Sequence, residues 1–267
     1  MISIITGYYN RKNLFYQTLK SLTKSKFKDF EVIAVDDASS PEHRIEDFID
    51  EFSFLNVIRI NENQKWYINP CVAFNIGLKE AQGDIIVLQN PECLHVHDVL
   101  SYINETVDKY NYITISTYGI NNEINKIIPE HLENDTLVDY LSTLPQQPYI
   151  GDNSIGWYNH SKYRPVAYHF CSAMLRKNMR ELNGFDERYA KGIGYDDDEL
   201  LLRINRLGLK VIVEDNISVI HQYHDTVMWN RPNVKELTEK NKRLFYETTL
   251  KEKFKHKANN FKLWIGI

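Results

Sequence analysis

The chain has 267 residues, 43% of them hydrophobic and 25% charged, a length and balance that suit one large globular domain with or without a small appendage. A formal net charge of -4 removes the electrostatic case for a nucleic-acid partner, which normally calls for a basic excess or stripe. The three cysteines, Cys71, Cys93 and Cys171, contain no C-x-x-C pair, and their odd count argues against a disulfide framework and for a reducing compartment.

The chain start, MISIITGYYN, lacks the charged flank and long apolar stretch of a signal peptide. No run approaches the ~18 apolar residues needed to span a bilayer. The expectation is a soluble, cytoplasmic protein that at most docks on a membrane. Ile2 to Thr6 is a short apolar run ending at Gly7, as in a buried parallel strand. Leu14, Thr18, Leu19 and Leu22 then share one helical face. FEVIAVDDASS reads as a second buried strand ending in two aspartates, followed by a polar helix over roughly Glu42 to Phe52. NVIRINEN is a third strand, Val72 to Glu80 a helix, and Ile85 to Leu88 a fourth strand introduced by Gly83. This alternation predicts a parallel sheet covered on both faces, with ligands at the carboxyl ends of its strands.

Beyond Cys93 the pattern loosens. A helix is predicted over Val96 to Tyr110, a strand at YITISTYGI, and long loops or short helices over 121–163. AYHFCSAMLRK reads as strand turning into helix, Glu199 to Leu207 as an amphipathic helix, and KVIVEDNISVIHQ as one or two strands. From Val234 the chain is charged and helical in pattern, with a Lys-rich tail, and the ordinary reading of such a helix is a solvated one. The domain boundaries drawn from this are 1–230 for the main domain (1–95 nucleotide-binding half, 96–230 acceptor half) and 231–267 for a helical extension.

Three carboxylate-rich stations sit where such a sheet places ligands. Asp36 and Asp37, followed by Ser39 and Ser40, lie at a strand end, where a carboxylate can accept from a base N–H or a ribose hydroxyl; strand-end capping is the plainer reading. LQNPEC, Leu88 to Cys93, offers Glu92 and the Asn90 amide oxygen to Mg²⁺ or Mn²⁺, which prefer oxygen ligands, against a proline turn with a solvated glutamate. GFDERYAKGIGYDDDELLLRI gathers Asp196, Asp197, Asp198 and Glu199 at a helix start, more acid than an N-terminal cap requires. Crowded carboxylates hold protons more tightly, which suits a general base. His221 and His224, after ISVI, are possible metal ligands, and His95 and His97 lie near Glu92 in sequence.

With these stations in order, the chain resembles the family-2 glycosyltransferases of GT-A fold over roughly residues 1 to 225. SIITGYYNRKNLFYQTLKSL is similar to their first strand, Tyr-Asn and helix, and FEVIAVDDASS to their Asp-Asp-x-Ser segment. AFNIGLKEAQGDIIVLQNPE is similar to their Asn-x-Gly…Ala-x-Gly-Asp stretch leading to an Asp-x-Asp metal motif. GFDERYAKGIGYDDDELLLRI resembles the Gly-Phe-Asp-Glu and Gly-Trp-Gly-x-Glu-Asp segments of galactosyltransferase-like relatives.

The resemblance implies a UDP-sugar donor, one divalent cation (Mn²⁺ or Mg²⁺), a glycan or glycoconjugate acceptor, and inverting single displacement. Asp37 would contact uracil with Asp36 and Asn90 nearby, and Gly7 and Tyr8 would approach the base or ribose. Asp197 would be the catalytic base, with Asp196 or Asp198 holding the acceptor. Glu92 and His221 would hold the metal. Apart from the resemblance, Trp157, Tyr158, His160, Tyr163 and Arg164 read either as an aromatic, hydrogen-bonding acceptor wall or as a packed loop. The sequence departs from the pattern in two places. Gln89-Asn90-Pro91-Glu92 stands where Asp-x-Asp is usual, and Ile193 replaces a frequent Trp, a change expected to reshape the acceptor pocket. The first departure motivates a rival reading, a non-catalytic nucleotide-sugar-binding protein. A nucleotidyltransferase would want a Gly-rich basic loop after the first strand, and a dehydrogenase G-x-G-x-x-G; neither is present.

Overall fold

The computed structural model describes residues 1–151, 153–225 and 231–250. The Lys-rich tail beyond 250 lies outside the described residues. ISIITGY, apolar without alternation, forms β1 (Ile2–Tyr8), buried along almost its whole length. After α1 (Lys12–Thr23), β2 (Phe30–Asp37) pairs parallel with β1, and β3 (Leu55–Ile60) pairs parallel with β2. After α2 (Cys71–Glu80), β4 (Ile85–Gln89) pairs parallel with the other edge of β1. Phe15, Leu19 and Leu22 of α1 fill the core on one face of this sheet, and Cys71, Phe74 and Leu78 of α2 fill the other.

The second half adds β5 (Cys93–His95), α3 (Val99–Thr106) and β6 (Asn111–Gly119). Three short helices follow, α4 (Asn122–Asn125), α5 (Ile128–Glu133) and α6 (Leu137–Thr143), then β7 (Gly156–Asn159) and β8 (Cys171–Leu175). The remaining elements are α7 (Arg176–Leu182), α8 (Asp196–Arg206), β9 (Lys210–His221) and α9 (Val234–Leu250). All the strands join one sheet in the order β3-β2-β1-β4-β8-β6-β9-β5, with β7 on β6. The sheet is therefore mixed: β8 runs antiparallel to both β4 and β6, and β5 antiparallel to β9, while β6 and β9 are parallel.

Two expectations change. The polar helix over 42–52 is instead a pair of 3₁₀ turns, Pro41–His43 and Glu46–Asp50. The Tyr8 hydroxyl donates to the His43 carbonyl at 2.6 Å, taking that carbonyl out of any helical ladder, while Ile45, Phe48 and Phe52 still go into the core. The helix over 96–110 shortens to α3, because Asp98 caps it by accepting from Ser101 N–H and residues 93–95 are drawn into the sheet as β5.

Two registers position the site. Tyr8 lies opposite Asp36, and Ile5 opposite Leu88, so β1, β2 and β4 end together. Cys93 lies opposite His221, so the residue before β5 and the residues after β9 meet at the same sheet end.

Candidate active site

At the end of β2 the two aspartates point differently. Asp36 is fully buried; its Oδ1 accepts from Ser39 N–H at 2.8 Å and its Oδ2 pairs with Arg59 at 3.0 Å. It holds the turn rather than facing a ligand. Asp37 Oδ2 pairs with Lys65 Nζ at 2.8 Å, and the Tyr67 hydroxyl stands near the carboxylate without a formed hydrogen bond. Burial raises the Asp37 pKa against the opposing pull of Lys65. The Lys65 ammonium also lies 4.5 Å from the centre of the half-exposed Tyr9 ring. Gly7 packs under α2, where a side chain's first carbon would touch Ala73 Cβ at 3.4 Å. Tyr8 does not present its ring to a ligand: the ring is buried against Phe15 and its hydroxyl is committed to His43, which leaves only the strand-end backbone.

Between the ends of β4 and β9 lies a compact charged cluster. Glu92 is 1% exposed. Its Oε2 pairs with Arg11 at 2.6 Å, and its Oε1 meets His221 Nε2 at 3.1 Å and His224 Nε2 at 3.3 Å. Burial alone would raise the Glu92 pKa, but Arg11, His224 and His221 together hold it well below the ordinary range. Burial lowers the His221 pKa, more than Glu92 raises it, which favours the neutral, metal-binding imidazole. The Glu92, His221 and His224 ligand atoms lie within 4.8 Å of one another, a mixed oxygen and nitrogen set that fits a divalent cation such as Mn²⁺. Asn90 leans on the cluster, its amide 3.5 Å from Glu92 Oε1. Gln89, in the position of the usual first aspartate, turns inward instead. Its Nε2 donates to the Cys93 carbonyl at 2.9 Å, and its Oε1 lies 2.9 Å from His95 Nε2. That pairing uses His95 in the core, and His97 accepts from Ser218 N–H, so neither joins the Glu92 cluster.

The acidic triad starts α8, and each member has its own partner. Asp196 is 6% exposed, and its Oδ1 accepts from Asn69 Nδ2 at 2.7 Å. Burial, then the neighbouring Asp197, push its pKa up to about 6. Asp198 accepts from the Tyr168 hydroxyl at 2.8 Å, and Glu199 is clasped by Arg203 at 2.6 and 2.7 Å. Asp197 is the partly open one, 35% exposed, and its Oδ1 lies 2.6 Å from Nδ1 of the buried His169. Burial would lower the His169 pKa, but Asp197 and Asp196 outweigh it and raise it. Phe74 and Phe185 meet the His169 ring edge-on at 5.0 Å each, which fixes its plane.

The chain just before β8 ties this triad to the Glu92 cluster. Asn90 N–H donates to the Phe170 carbonyl at 3.0 Å, and the Phe170 ring meets His221 at 5.6 Å. The residue beside Phe170 is His169, the partner of Asp197. Asn69 connects the triad in turn to the start of α2, since its Oδ1 accepts from Cys71 N–H.

The expected acceptor residues divide. Trp157 is 4% exposed, stacked edge-on against Tyr118 and bonded to Gln146, so it is a packing residue. Tyr158 lies 4.7 Å from the His221 ring and stacks on Tyr149 at 4.1 Å, beside the cluster. Arg164 donates to the Tyr158 carbonyl and braces that loop. Ile193 is fully buried and lines no open pocket; its N–H donates to the Leu237 carbonyl of α9. Sequence reasoning missed Arg11, Asn69, Tyr168 and His169 as partners of the acids. Arg11, Tyr168 and His169 lie beside the ends of β1 and β8 and Asn69 just before α2, positions whose meaning appears once the strand order is known.

A mixed sheet flanked by helices, with Asp37 and the Glu–His cluster at its strand ends and the acid triad at the start of α8, is the GT-A fold of glycosyltransferases. The match to the model for glycosyl transferase family 2 covers residues 3–182, and the chain belongs to that family. A second match, to the N-terminal domain of galactosyltransferase, covers residues 160–226 and so includes the acid triad. Among curated proteins the chain is similar to the amylovoran biosynthesis glycosyltransferase AmsB of Erwinia amylovora, 24% identical over 213 residues, 79% of this chain and 66% of that protein. It is also 30% identical over 133 residues to an uncharacterized glycosyltransferase of Rickettsia conorii, 48% of this chain and 20% of that protein. The chain thus spans less than two thirds of the length of each. Solved structures of similar fold include S. aureus TarS with UDP-GlcNAc (TM-score 0.63, 14% identity, 96% of this chain and 68% of that one). GalNAc-T7 with UDP, GalNAc and Mn²⁺ gives TM-score 0.58 at 16% identity, over 99% of this chain and 54% of that one. The Pyrobaculum calidifontis mannosyltransferase PcManGT, with GDP-Man and Mn²⁺, gives 0.57 at 16%, over 85% and 58%.

Proposed function

We propose that this glycosyltransferase moves a sugar from a UDP-sugar to a hydroxyl of a glycan or glycoconjugate by a single inverting displacement, with Asp197 as the base. The observation that carries this reading is the partly exposed Asp197 backed by buried His169, joined through the His169–Phe170 step to the Glu92–His221–His224 cluster. Asp37, with Lys65 beside it, receives the uracil: the carboxylate accepts the base N3–H and the ammonium donates to a ring carbonyl. Glu92, His221 and His224 would hold a divalent cation, which when bound supplies positive charge to the diphosphate. Arg11, already against Glu92, adds a fixed cation at the same strand end. Asp197 takes the proton of the acceptor hydroxyl as its oxygen attacks the anomeric carbon and the bond to the diphosphate breaks. His169, held by two aromatic edges, keeps the Asp197 carboxylate aimed while that proton moves.

A non-catalytic nucleotide-sugar binder would have no use for a partly exposed carboxylate backed by a buried histidine. The test is a screen of UDP-sugars for Mn²⁺-dependent UDP release, followed by Asp197→Asn. A positioned base contributes ~10²–10⁴-fold, so the variant should lose at least two orders of magnitude in transfer while binding UDP as the parent does. Retained transfer would remove Asp197 from the base role. Absence of UDP release from every donor would leave the binder reading in its place.

A further inference from the structure

The acid triad hangs from a left-handed corner. Gly194 has φ 67° and Tyr195 φ 65°, and Asp196 begins α8 directly after them. A side-chain-bearing residue holds that conformation only where its surroundings enforce it. No side chain caps the helix start to do so. The enforcing contact comes from α9. Asn241, fully buried, donates through Nδ2 to the Gly194 carbonyl at 2.8 Å and the Tyr189 carbonyl at 3.1 Å. Around it, Ile193 N–H donates to the Leu237 carbonyl at 3.2 Å, Lys240 Nζ to the Lys191 carbonyl at 3.2 Å, and the Phe245 ring meets Tyr195 at 5.7 Å. Gly192 leaves room for the clamp: a Cβ there would lie 2.0 Å from Asn241 Oδ1. One side chain of a helix that reads as solvated thus accounts for the glycine at 192, the buried amide and the enforced Tyr195 backbone.

We propose that Asn241 is a positioning residue, holding the Gly194–Tyr195 corner so that Asp196 reaches Asn69 and Asp197 reaches His169. Its effect on turnover rests on the glycosyl-transfer reading; its effect on the corner does not. A displacement of about 1 Å in a catalytic group can cost ~10²-fold, so a clamp on this corner has kinetic weight.

The experiment compares the full-length chain with Asn241→Ala, Asn241→Ser and the pair Asn241→Ala with Tyr195→Gly. Glycine adopts the left-handed corner without enforcement, so the pair restores the corner without the clamp. Three quantities are read: amide hydrogen exchange over 184–206, UDP affinity with Mn²⁺, and UDP release from a donor the parent uses. Asn241→Ala should exchange about tenfold faster at 192–199, bind UDP unchanged, and lose ~10–10²-fold in kcat with donor KM unchanged. Asn241→Ser, keeping one donor, should fall between, and the added Tyr195→Gly should recover most of kcat. Unchanged exchange at 192–199, faster exchange with unchanged kcat, or no recovery in the pair would each overturn the proposal. If the parent releases UDP from no donor, the transfer reading fails, and the exchange measurement still decides whether Asn241 holds the corner.

Discussion

Lys65 pairs with one Asp37 oxygen at 2.8 Å, so only the other, buried and unpaired, is left for a base. Uracil presents an acceptor–donor–acceptor edge that suits one carboxylate oxygen beside an ammonium. Guanine presents two adjacent donors that want both oxygens. Lys65→Met should therefore weaken UDP binding about tenfold, as loss of a charged hydrogen bond does, and narrow the preference for UDP over GDP. Calorimetric titration with both nucleotides checks this; equal UDP affinity in the variant would place the base elsewhere. Asp196 gives a second prediction, through stability. Its folded pKa stands above the value of 3.8 for a free carboxyl, so the folded chain binds that proton more tightly than the unfolded one. Stability is then lost as pH rises from about 4 to about 6, and the full penalty remains above. Asp196→Asn keeps the oxygen that Asn69 uses and removes the charge. It should be more stable than the parent by about 1–3 kcal/mol at pH 8, and level with it near pH 4. Denaturant melts at the two pH values measure this; a less stable variant at pH 8 would show that the charge stabilises the fold. The acids themselves were legible in the sequence as runs. Their division of labour was not, because Asn69, His169, Tyr168 and Arg59 lie far away along the chain and are neighbours only in the fold.

Among the elements, α2 carries the most positional information. Asn75 Nδ2 donates to the Phe185 carbonyl at 2.9 Å and its Oδ1 accepts from Phe185 N–H at 2.8 Å, tying α2 to the loop ahead of the acid triad. Two residues on, Gly77 lies flat on the sheet, where an added Cβ would come within 2.5 Å of Ile5 Cγ2 and 3.3 Å of Val35 Cγ2. The Asn-x-Gly spacing visible in the sequence thus has two separate physical causes on one helix. Gly77→Val should cost about 1–3 kcal/mol by overpacking, read as a lower melting temperature; an unchanged melt would mean that α2 can lift without penalty. Long elements such as β1, β2, β6 and α8 were legible from apolar runs and helical periodicity. β5, three residues long, and β7, four, offer too few positions for any period to register. The helix predicted over 42–52 failed because a tertiary hydrogen bond from Tyr8 outweighs a local pattern. β5 nevertheless matters most for the site, since its pairing with β9 brings His221 to Glu92.

At the scale of the whole molecule, the N-terminal half reads clearly from the alternation of strands and helices. The part beyond it includes short helices around Leu94, Tyr118, Ile128, Trp157 and Ile220, a separate small core whose residues are scattered along the chain. α9 belongs with the acid loop rather than standing apart as a solvated extension, and among the described residues no helix is long and apolar enough to cross a membrane. The proposed transfer requires the Glu92 cluster and Asp197 to face one bound donor. UDP with Mn²⁺ at 100 times its Kd should accordingly stabilise the fold by about 2.7 kcal/mol, and Glu92→Gln should abolish the Mn²⁺-dependent part of that gain. The most direct measurement is anomalous diffraction at the manganese edge from crystals grown with UDP and Mn²⁺. One strong peak is expected within ligand distance of Glu92, His221 and His224, with diphosphate density beside it and the Asp197 carboxylate open to the space beyond. Manganese bound away from Glu92, or diphosphate on the far side of the sheet from Asp197, would contradict the proposed transfer.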